Sequence, residues 1–590
     1  MAERTLLHTF LRRSRDDAAR VAISEFGGGS CTWSQWDQES RAFAAALIDS
    51  GCMPGEVVAI LAGNSLVWPI ADIGALMAGC VSVGVYATNA PAQVHEALKD
   101  CGARVVVVDH ADQLGKILDV RKSLPNLRLI VSAAQSKDHA VVTWPDWLKR
   151  GRAALPRVSR ELNNRILDAT ADDIAVLIYT SGVGGPPKGA RISHRYLSAS
   201  AESIRNTLAL TSADTTLSFL PYCHAAERIF GHYTRIHVGM SVTLLEDAAQ
   251  LWSAAGSVEP TVFGGSPRFY QQIFEALQAQ RAALSPEERA AWDRAEALGR
   301  TRSQLLRTGR PADPELERSW QTATALPRAA IEQMVGTRLR VAITGGGTLP
   351  HEVAETLAAF GLTVLNAYGL TEHLCVAMQR PGGYDFQSAG VTMEGSTLRI
   401  SETGEIQVMR SDLTFSGYHN KTAETAAAFT EDKAWLRTGD VGYVDGAGRL
   451  HVTGREKEVI ALTGGRQVAP APIERQLAAS PWIGQAVLFG TSRDYLCALL
   501  VLRNGVVEQW ARAHGFRMDE YITLEPALLR EVQAEIDRVN EQLSAAEQIR
   551  RFAILPGELS VERNELTVTM KVRRDVVEER YRGHIESLYL

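Results

Sequence analysis

Short β-branched runs alternating with helix-spaced stretches leave a chain few ways to fold, and the first half of this one is built that way. Residues 56–61, 104–108 and 127–131 read as strands, while residues 33–50 and 93–99 carry apolar side chains at helical spacing. Strands and helices in alternation need crossover connections, which set successive strands parallel in a largely parallel sheet. At 590 residues the chain exceeds what one core serves, so more than one domain is expected. The apolar stretch 69–85 is too short to span a bilayer comfortably and carries Asp72, so it reads as a buried helix running into a strand.

Composition removes whole classes of function. Hydrophobic residues are 45% and charged residues 22%, ordinary for a soluble enzyme. A formal net charge of -6 supplies no basic field for nucleic acid or an anionic membrane. The seven cysteines form no CxxC and no zinc spacing; they read as reduced packing residues of a cytoplasmic protein. The first residues lack the apolar run of a signal peptide, and no membrane span is expected.

Residues 278–319 are rich in Ala, Glu and Arg, with prolines as punctuation, and read as a solvated helical excursion, with a docking surface as the alternative. From Gly404 the texture changes to short strands and turns, and from Pro472 helix and strand alternate again. A domain boundary is expected at Arg455–Lys457, dividing the chain into 1–455 and 456–590.

One segment carries chemistry on its face: Tyr179-Thr180-Ser181-Gly182-Val183-Gly184-Gly185-Pro186-Pro187-Lys188-Gly189, directly after the apolar run 174–178. A strand leading into such a loop lets backbone N–H groups approach phosphate oxygens, and a lysine adds positive charge. The spacing to Lys188 is longer than in a Walker loop, and Gly189 stands where that pattern has Ser or Thr. Taken alone, the segment also reads as a plain Gly/Pro surface turn.

The loop resembles the phosphate loop of the adenylate-forming superfamily (acyl-CoA synthetases, luciferases and peptide-synthetase adenylation domains), whose pattern is Tyr-Thr-Ser-Gly-Thr-Thr-Gly-x-Pro-Lys-Gly. Further resemblances follow in the family's order over almost the whole chain. Thr344-Gly345-Gly346-Gly347 resembles the glycine turn beside nucleotide and acyl group, and Asn366-Ala367-Tyr368-Gly369-Leu370-Thr371-Glu372 the adenine-site motif. Trp435-Leu436-Arg437-Thr438-Gly439-Asp440 resembles the ribose-gripping motif, and Gly454-Arg455-Glu456-Lys457 the hinge. Residues 463–474 resemble the pantetheine-channel segment, and Thr569-Met570-Lys571-Val572-Arg573-Arg574 the end motif. Leu220-Pro221-Tyr222-Cys223-His224-Ala225-Ala226-Glu227-Arg228 and Asn64 followed by Trp68 look like the long-chain acyl-CoA synthetase branch.

The resemblance implies an α/β fold: a large N-terminal α/β domain with a small β-barrel-like subdomain, then a mobile C-terminal α+β domain. It implies nucleotide contacts from Thr180, Ser181, Gly182, Gly346, Gly347, Tyr368, Gly369, Asp440 and Arg455. Lys188 and Thr371 would serve the phosphates, Glu372 would hold magnesium, and Lys571 would neutralise charge during adenylation. Lys457 would be the hinge, and Gly464, Gly465 and Arg466 would line the coenzyme A channel. His224 is a candidate over the acyl site, with a packed wall histidine as the alternative. The implied ligands are ATP or acyl-AMP, coenzyme A, Mg2+ and a bulky hydrophobic carboxylic acid.

The chain departs from that pattern at one place. Val183 and Gly184 stand where the family has two threonines. A hydrogen bond to a charged group contributes about 1.5–3 kcal/mol, roughly tenfold to more than a hundredfold in rate if it forms mainly in the transition state. Thioester formation does not use the β- and γ-phosphates, so the loss should impair adenylation and spare conversion of preformed acyl-AMP to acyl-CoA. A separate adenylating enzyme would then supply the intermediate. The retained Lys188 and Lys571 argue the other way. A full two-step synthetase, an acyl-AMP ligase that loads a carrier protein and a non-catalytic nucleotide binder are the alternatives.

Overall fold

The alternating pattern becomes two large sheets with helices between and around them. The structure is a computed structural model and describes residues 5–180, 187–463, 467–518, 522–545, 547–567 and 571–590. The first sheet has seven strands in the spatial order Val141–Thr143, Leu129–Ser132, Val105–Val108, Val57–Leu61, Val81–Gly84, Ile174–Thr180 and Lys188–Ser193. Its pairs are parallel except the last, where Thr180 lies opposite Lys188 in an antiparallel hairpin. Residues 69–85 are a buried helix, Val67–Met77, running into the strand Val81–Gly84.

The second sheet has nine strands, with Val364–Leu370, Val341–Gly345, Val262–Gly265 and Thr215–Ser218 as parallel neighbours near its middle. The largest core lies between the sheets and joins one face of each: Val58, Ile60, Val176 and Ile178 from the first, Ile23, Val242 and Leu244 from the second. Along Ile174–Thr180 the side chains alternate between that core and an outer one holding Leu177 and Tyr179. Both faces are apolar, as a parallel-sheet strand requires. Such a strand is a rigid mount for the loop at its end.

The charged excursion is helical, as Pro267–Ala283, Pro286–Arg307 and Pro314–Ala323, but one face of it is packed. Trp292 meets Phe360 edge-on at 5.4 Å between ring centroids, and a Cβ at Gly299 would lie 2.1 Å from Ala359 O. Trp320 donates to Ala359 O at 2.8 Å, with the Arg302 and Arg328 guanidinium groups 3.9 and 4.9 Å from its ring. The high charge of the stretch hid a narrow apolar stripe.

A four-stranded antiparallel sheet follows: Leu398–Ile400, Glu405–Met409, Trp435–Val444 and Leu450–Arg455. A single bridge, Val391 to Arg449, ties it to the edge of the nine-stranded sheet. Beyond it, Ile483–Phe489, Leu496–Leu502 and Ile549–Ile554 form a three-stranded sheet with its own apolar clusters on both faces. Among the described residues no helix is long and apolar enough to cross a membrane.

Candidate active site

The site is assembled from strand ends. Val341–Gly345 runs out into Gly346, whose φ of +73° is left-handed and suits a residue without Cβ. Its neighbour Val364–Leu370 turns back at Thr371-Glu372 into His373–Met378. The hairpin is tight at Gly369, where a Cβ would lie 1.7 Å from Leu374 O. Only glycine fits there, so the motif's glycine has a packing reason in this chain.

Tyr368, on that strand, donates from its hydroxyl to Asp440 Oδ2 at 2.6 Å. Asp440 lies opposite Arg455 across two antiparallel strands, and its Oδ1 takes Arg455 Nε at 3.0 Å. Thus each carboxylate oxygen is already oriented, and each keeps a further lone pair for a ligand hydroxyl. Burial, then the charge of Asp440, pushes the Tyr368 phenol far above its ordinary value, so it stays a donor.

Lys571 faces the same cleft from the C-terminal part of the chain. The residue is exposed, yet the protein around its ammonium is enough to lower its pKa by desolvation. Arg455 lowers it further, while Asp440 and Glu458 oppose the shift. His224 lies within the electrostatic reach of Lys571: burial first, then the Lys571 charge, pushes its imidazole down to about 4. The ring is therefore neutral at neutral pH. Its Nδ1 accepts from Ala226 N at 3.3 Å, which leaves the proton on Nε2.

Glu372 and Lys188 meet through a third residue. Tyr418 donates its hydroxyl to Glu372 Oε1, and Lys188 Nζ lies 5.2 Å from the centroid of its ring. Tyr418 is delivered by a strap that pairs with the strand after the loop, through Ser416 N to Arg191 O at 2.8 Å and His419 N to Gly189 O at 2.8 Å. On the other side of the hairpin tip, Tyr196 donates to Thr371 O at 3.1 Å and accepts from Leu374 N at 2.9 Å.

The structure thus brings Tyr368, Gly369, Thr371, Glu372, Asp440, Arg455, Lys188, Lys571 and His224 to one region, with Gly346 and Gly347 exposed on a neighbouring strand's end. The side chain of Thr180, all of Ser181, Gly182, Val183 and Gly184, the side chain of Lys457, and Gly464, Gly465 and Arg466 lie outside the described residues.

Residues 9–419 match the family described as AMP-binding enzyme, and residues 457–590 match the AMP-binding enzyme C-terminal domain. The chain belongs to the AMP-binding enzyme family. The long-chain-fatty-acid–CoA ligase FadD15 of Mycobacterium tuberculosis is 31% identical over 98% of this chain and 95% of the relative. The long-chain-fatty-acid–CoA ligase heimdall of Drosophila melanogaster is 29% identical over 95% of this chain and 90% of the relative. Among solved structures, the anthranilate CoA ligase AuaEII in complex with anthranoyl-AMP matches with a TM-score of 0.75 at 21% identity, covering 99% of both chains. The adenylation domain of the carboxylate reductase of Mycobacterium chelonae matches with a TM-score of 0.75 at 20% identity, covering 100% of this chain and 92% of that one. These structures show the same fold. This AMP-binding enzyme is accordingly an adenylate-forming ligase of the acyl-CoA synthetase kind.

Sequence reasoning missed three residues of this AMP-binding enzyme's site and its wall. Tyr196 and Tyr418 carried no readable signal, because a lone tyrosine is ordinary core material. Asp72 did carry one: a carboxylate in an apolar helix demands a partner. The partner is Arg228, in the segment just after His224. Both are fully buried; Arg228 Nη2 and the Ser82 hydroxyl reach Asp72 Oδ1 at 2.5 Å, and Tyr233 reaches Oδ2 at 2.9 Å. Arg228 also lies 4.8 Å over the ring of Trp68, which stacks on Tyr222. Burial alone would raise the Asp72 carboxyl, but Arg228 and His232 hold it well below the carboxylate range.

Proposed function

We propose that this enzyme joins a bulky hydrophobic carboxylic acid to coenzyme A through its acyl-AMP, with thioester formation as the efficient half and adenylation as the impaired one. The single observation behind this division is that Asp440 stands fully oriented by Tyr368 and Arg455, while Val183 and Gly184 replace two phosphate-binding hydroxyls. The first group serves AMP in both half-reactions. The second serves only the phosphates that leave.

In this reading Asp440 accepts from the ribose hydroxyls and Tyr368 packs against the base. In adenylation the acid's carboxylate oxygen attacks the α-phosphorus and pyrophosphate leaves; Lys188 and Lys571 balance the charge that develops. In thioester formation the thiol sulfur of coenzyme A, having lost its proton, attacks the acyl carbon and AMP leaves with the bond's electron pair. His224, neutral and protonated at Nε2, offers a hydrogen bond at the acyl end without adding charge. Among the described residues no group of three or more His, Cys, Asp or Glu is placed to hold a metal. Glu372 would hold magnesium, which would supply positive charge to offset the phosphates. The hinge role of Lys457 and the coenzyme A role of residues 464–466 belong to the same proposal.

The names of the relatives support a long-chain acid as the first substrate to try. The test pairs palmitic acid and a polycyclic carboxylic acid, each with ATP and coenzyme A, against the corresponding synthetic acyl-AMP with coenzyme A. Acyl-CoA is read by mass spectrometry. Product from acyl-AMP far above product from acid and ATP, with adenylation restored in Val183→Thr, Gly184→Thr, is the expected result. Acid-dependent pyrophosphate exchange by the wild type at the rate of the double variant overturns it. A full two-step synthetase is the second reading, favoured by the presence of Lys571 in the cleft.

A further inference from the structure

Two parts of the chain that any domain rotation must separate are joined by one well-formed hydrogen bond. Arg475 Nη1 donates to Thr348 Oγ1 at 2.8 Å. Thr348 is exposed on the turn that leaves the strand Val341–Gly345 through Gly346 and Gly347. Arg475 sits on the helix Pro470–Ala478, directly after the short strand Gln467–Val468. We propose that Arg475 is a positioning residue: by gripping Thr348 it holds the C-terminal domain in the pose that places Lys571 in the cleft.

Three features suit it to that work. Its helix is tied to its own domain, since Glu474 Oε1 takes Leu488 N at 2.7 Å and Arg574 Nη1 at 2.7 Å. Pulling on Arg475 therefore pulls on the strand and helix behind it, not on one loose side chain. Arg475 itself is half-buried, and that burial lowers its pKa, with Glu474 opposing. Finally, the grip falls on the glycine turn that borders the nucleotide region, so pose and site are linked through a few residues. A second contact, Arg503 to Glu275 at 3.5 Å, spans the same divide but is exposed on both sides and should contribute little.

A 2.8 Å bond does not survive a rotation of several ångströms, so it counts for one pose only. A contact made in one of two states shifts their ratio by its differential free energy. The inference rests on the proposed function only in taking the other pose as the thioester-forming one. The distance measurement that decides it needs no substrate.

All seven cysteines are buried, so labels can be directed to introduced ones. Leu326→Cys and Leu524→Cys, at residues 51% and 67% exposed, place one spin label in each part. Double electron–electron resonance on the full chain should give one dominant distance in the otherwise wild-type protein. Arg475→Met keeps the aliphatic stem and Thr348→Val keeps the shape; each should raise a second distance population by about threefold to tenfold. The two together should do no more than either alone, and Arg475→Lys should restore most of the first population. With palmitoyl-AMP as probe, release should lower the apparent KM for coenzyme A more than it changes kcat. Unchanged distance distributions in both single variants, with circular-dichroism melting showing them folded, overturn the proposal. Failure to form acyl-CoA from acyl-AMP would instead count against the function and leave the distances to decide the grip.

Discussion

The hydroxyl of Tyr368 donates a 2.6 Å hydrogen bond to Oδ2 of Asp440, which sits on a different sheet. The two residues come from motifs 72 positions apart and meet at the seam between sheets. Because Arg455 fills the other oxygen, Asp440 cannot swing away from the position in which it would accept a diol. Asp440→Ala should weaken binding of a non-hydrolysable palmitoyl-adenylate analogue by about 2–3 kcal/mol, the scale of a lost charged acceptor. Tyr368→Phe should cost less, about 1 kcal/mol, since it removes one orienting bond and leaves the carboxylate. Calorimetric titration of the three proteins checks both, and equal affinities would displace the ribose site from Asp440.

Tyr418 supports the residue proposed to hold magnesium. Tyr418→Phe removes a hydrogen bond to the Glu372 carboxylate while keeping the ring beneath Lys188. We expect the magnesium concentration for half-maximal pyrophosphate exchange to rise roughly tenfold, the order of a bond to a charged group. Thioester formation from acyl-AMP should change less than twofold. An equal fall in both half-reactions would show that Tyr418 holds the fold, not the carboxylate.

In the proposed mechanism Lys571 serves adenylation alone, through its charge. Lys571→Met should reduce adenylation by at least the hundredfold that follows from about 2.7 kcal/mol of lost transition-state charge stabilisation, and leave thioester formation nearly intact. Burial and Arg455 lower the ammonium's pKa, so the charge is lost at a pH below the ordinary lysine value. Any adenylation should accordingly decline on the alkaline side earlier than an unperturbed lysine would dictate. His224, held near 4, should add no step to the profile between pH 5 and 8. A pH–rate series on wild type and Lys571→Met measures both.

The Asp72–Arg228 pair under the His224 wall should dominate local stability. Arg228→Met strands a buried carboxylate and should cost about 3–5 kcal/mol, whereas Asp72→Leu with Arg228→Met should recover most of it. Asp72 is depressed in the folded state, so its contribution is complete above the unfolded carboxyl's range near 4 and is lost as pH falls below it. Urea melts of the three proteins at pH 7 and at pH 4 test the ordering. A double variant no more stable than Arg228→Met would show that packing, not the stranded charge, sets the cost.

What the sequence by itself determined is whatever a local pattern can carry. Continuous β-branched runs marked the strands 57–61 and 105–108, which are buried on both faces, and 3.6-residue spacing marked the helix 33–49. Glycine spacing and the order of motifs identified the family and supplied most residues of the candidate site. The charge-rich excursion is helical as its pattern suggests, and what its charge obscured is the packed stripe of Trp292, Ala295, Gly299 and Ser303 at helical spacing. Only the tertiary structure decided which side chains hold those residues in place. Tyr196 and Thr371 are 175 positions apart, Arg228 and Asp72 156, Tyr418 and Glu372 46, and Arg475 and Thr348 127. Each pair is a hydrogen bond of a few ångströms, set by how sheets, strap and domain dock, and no spacing along one chain encodes a distance across it.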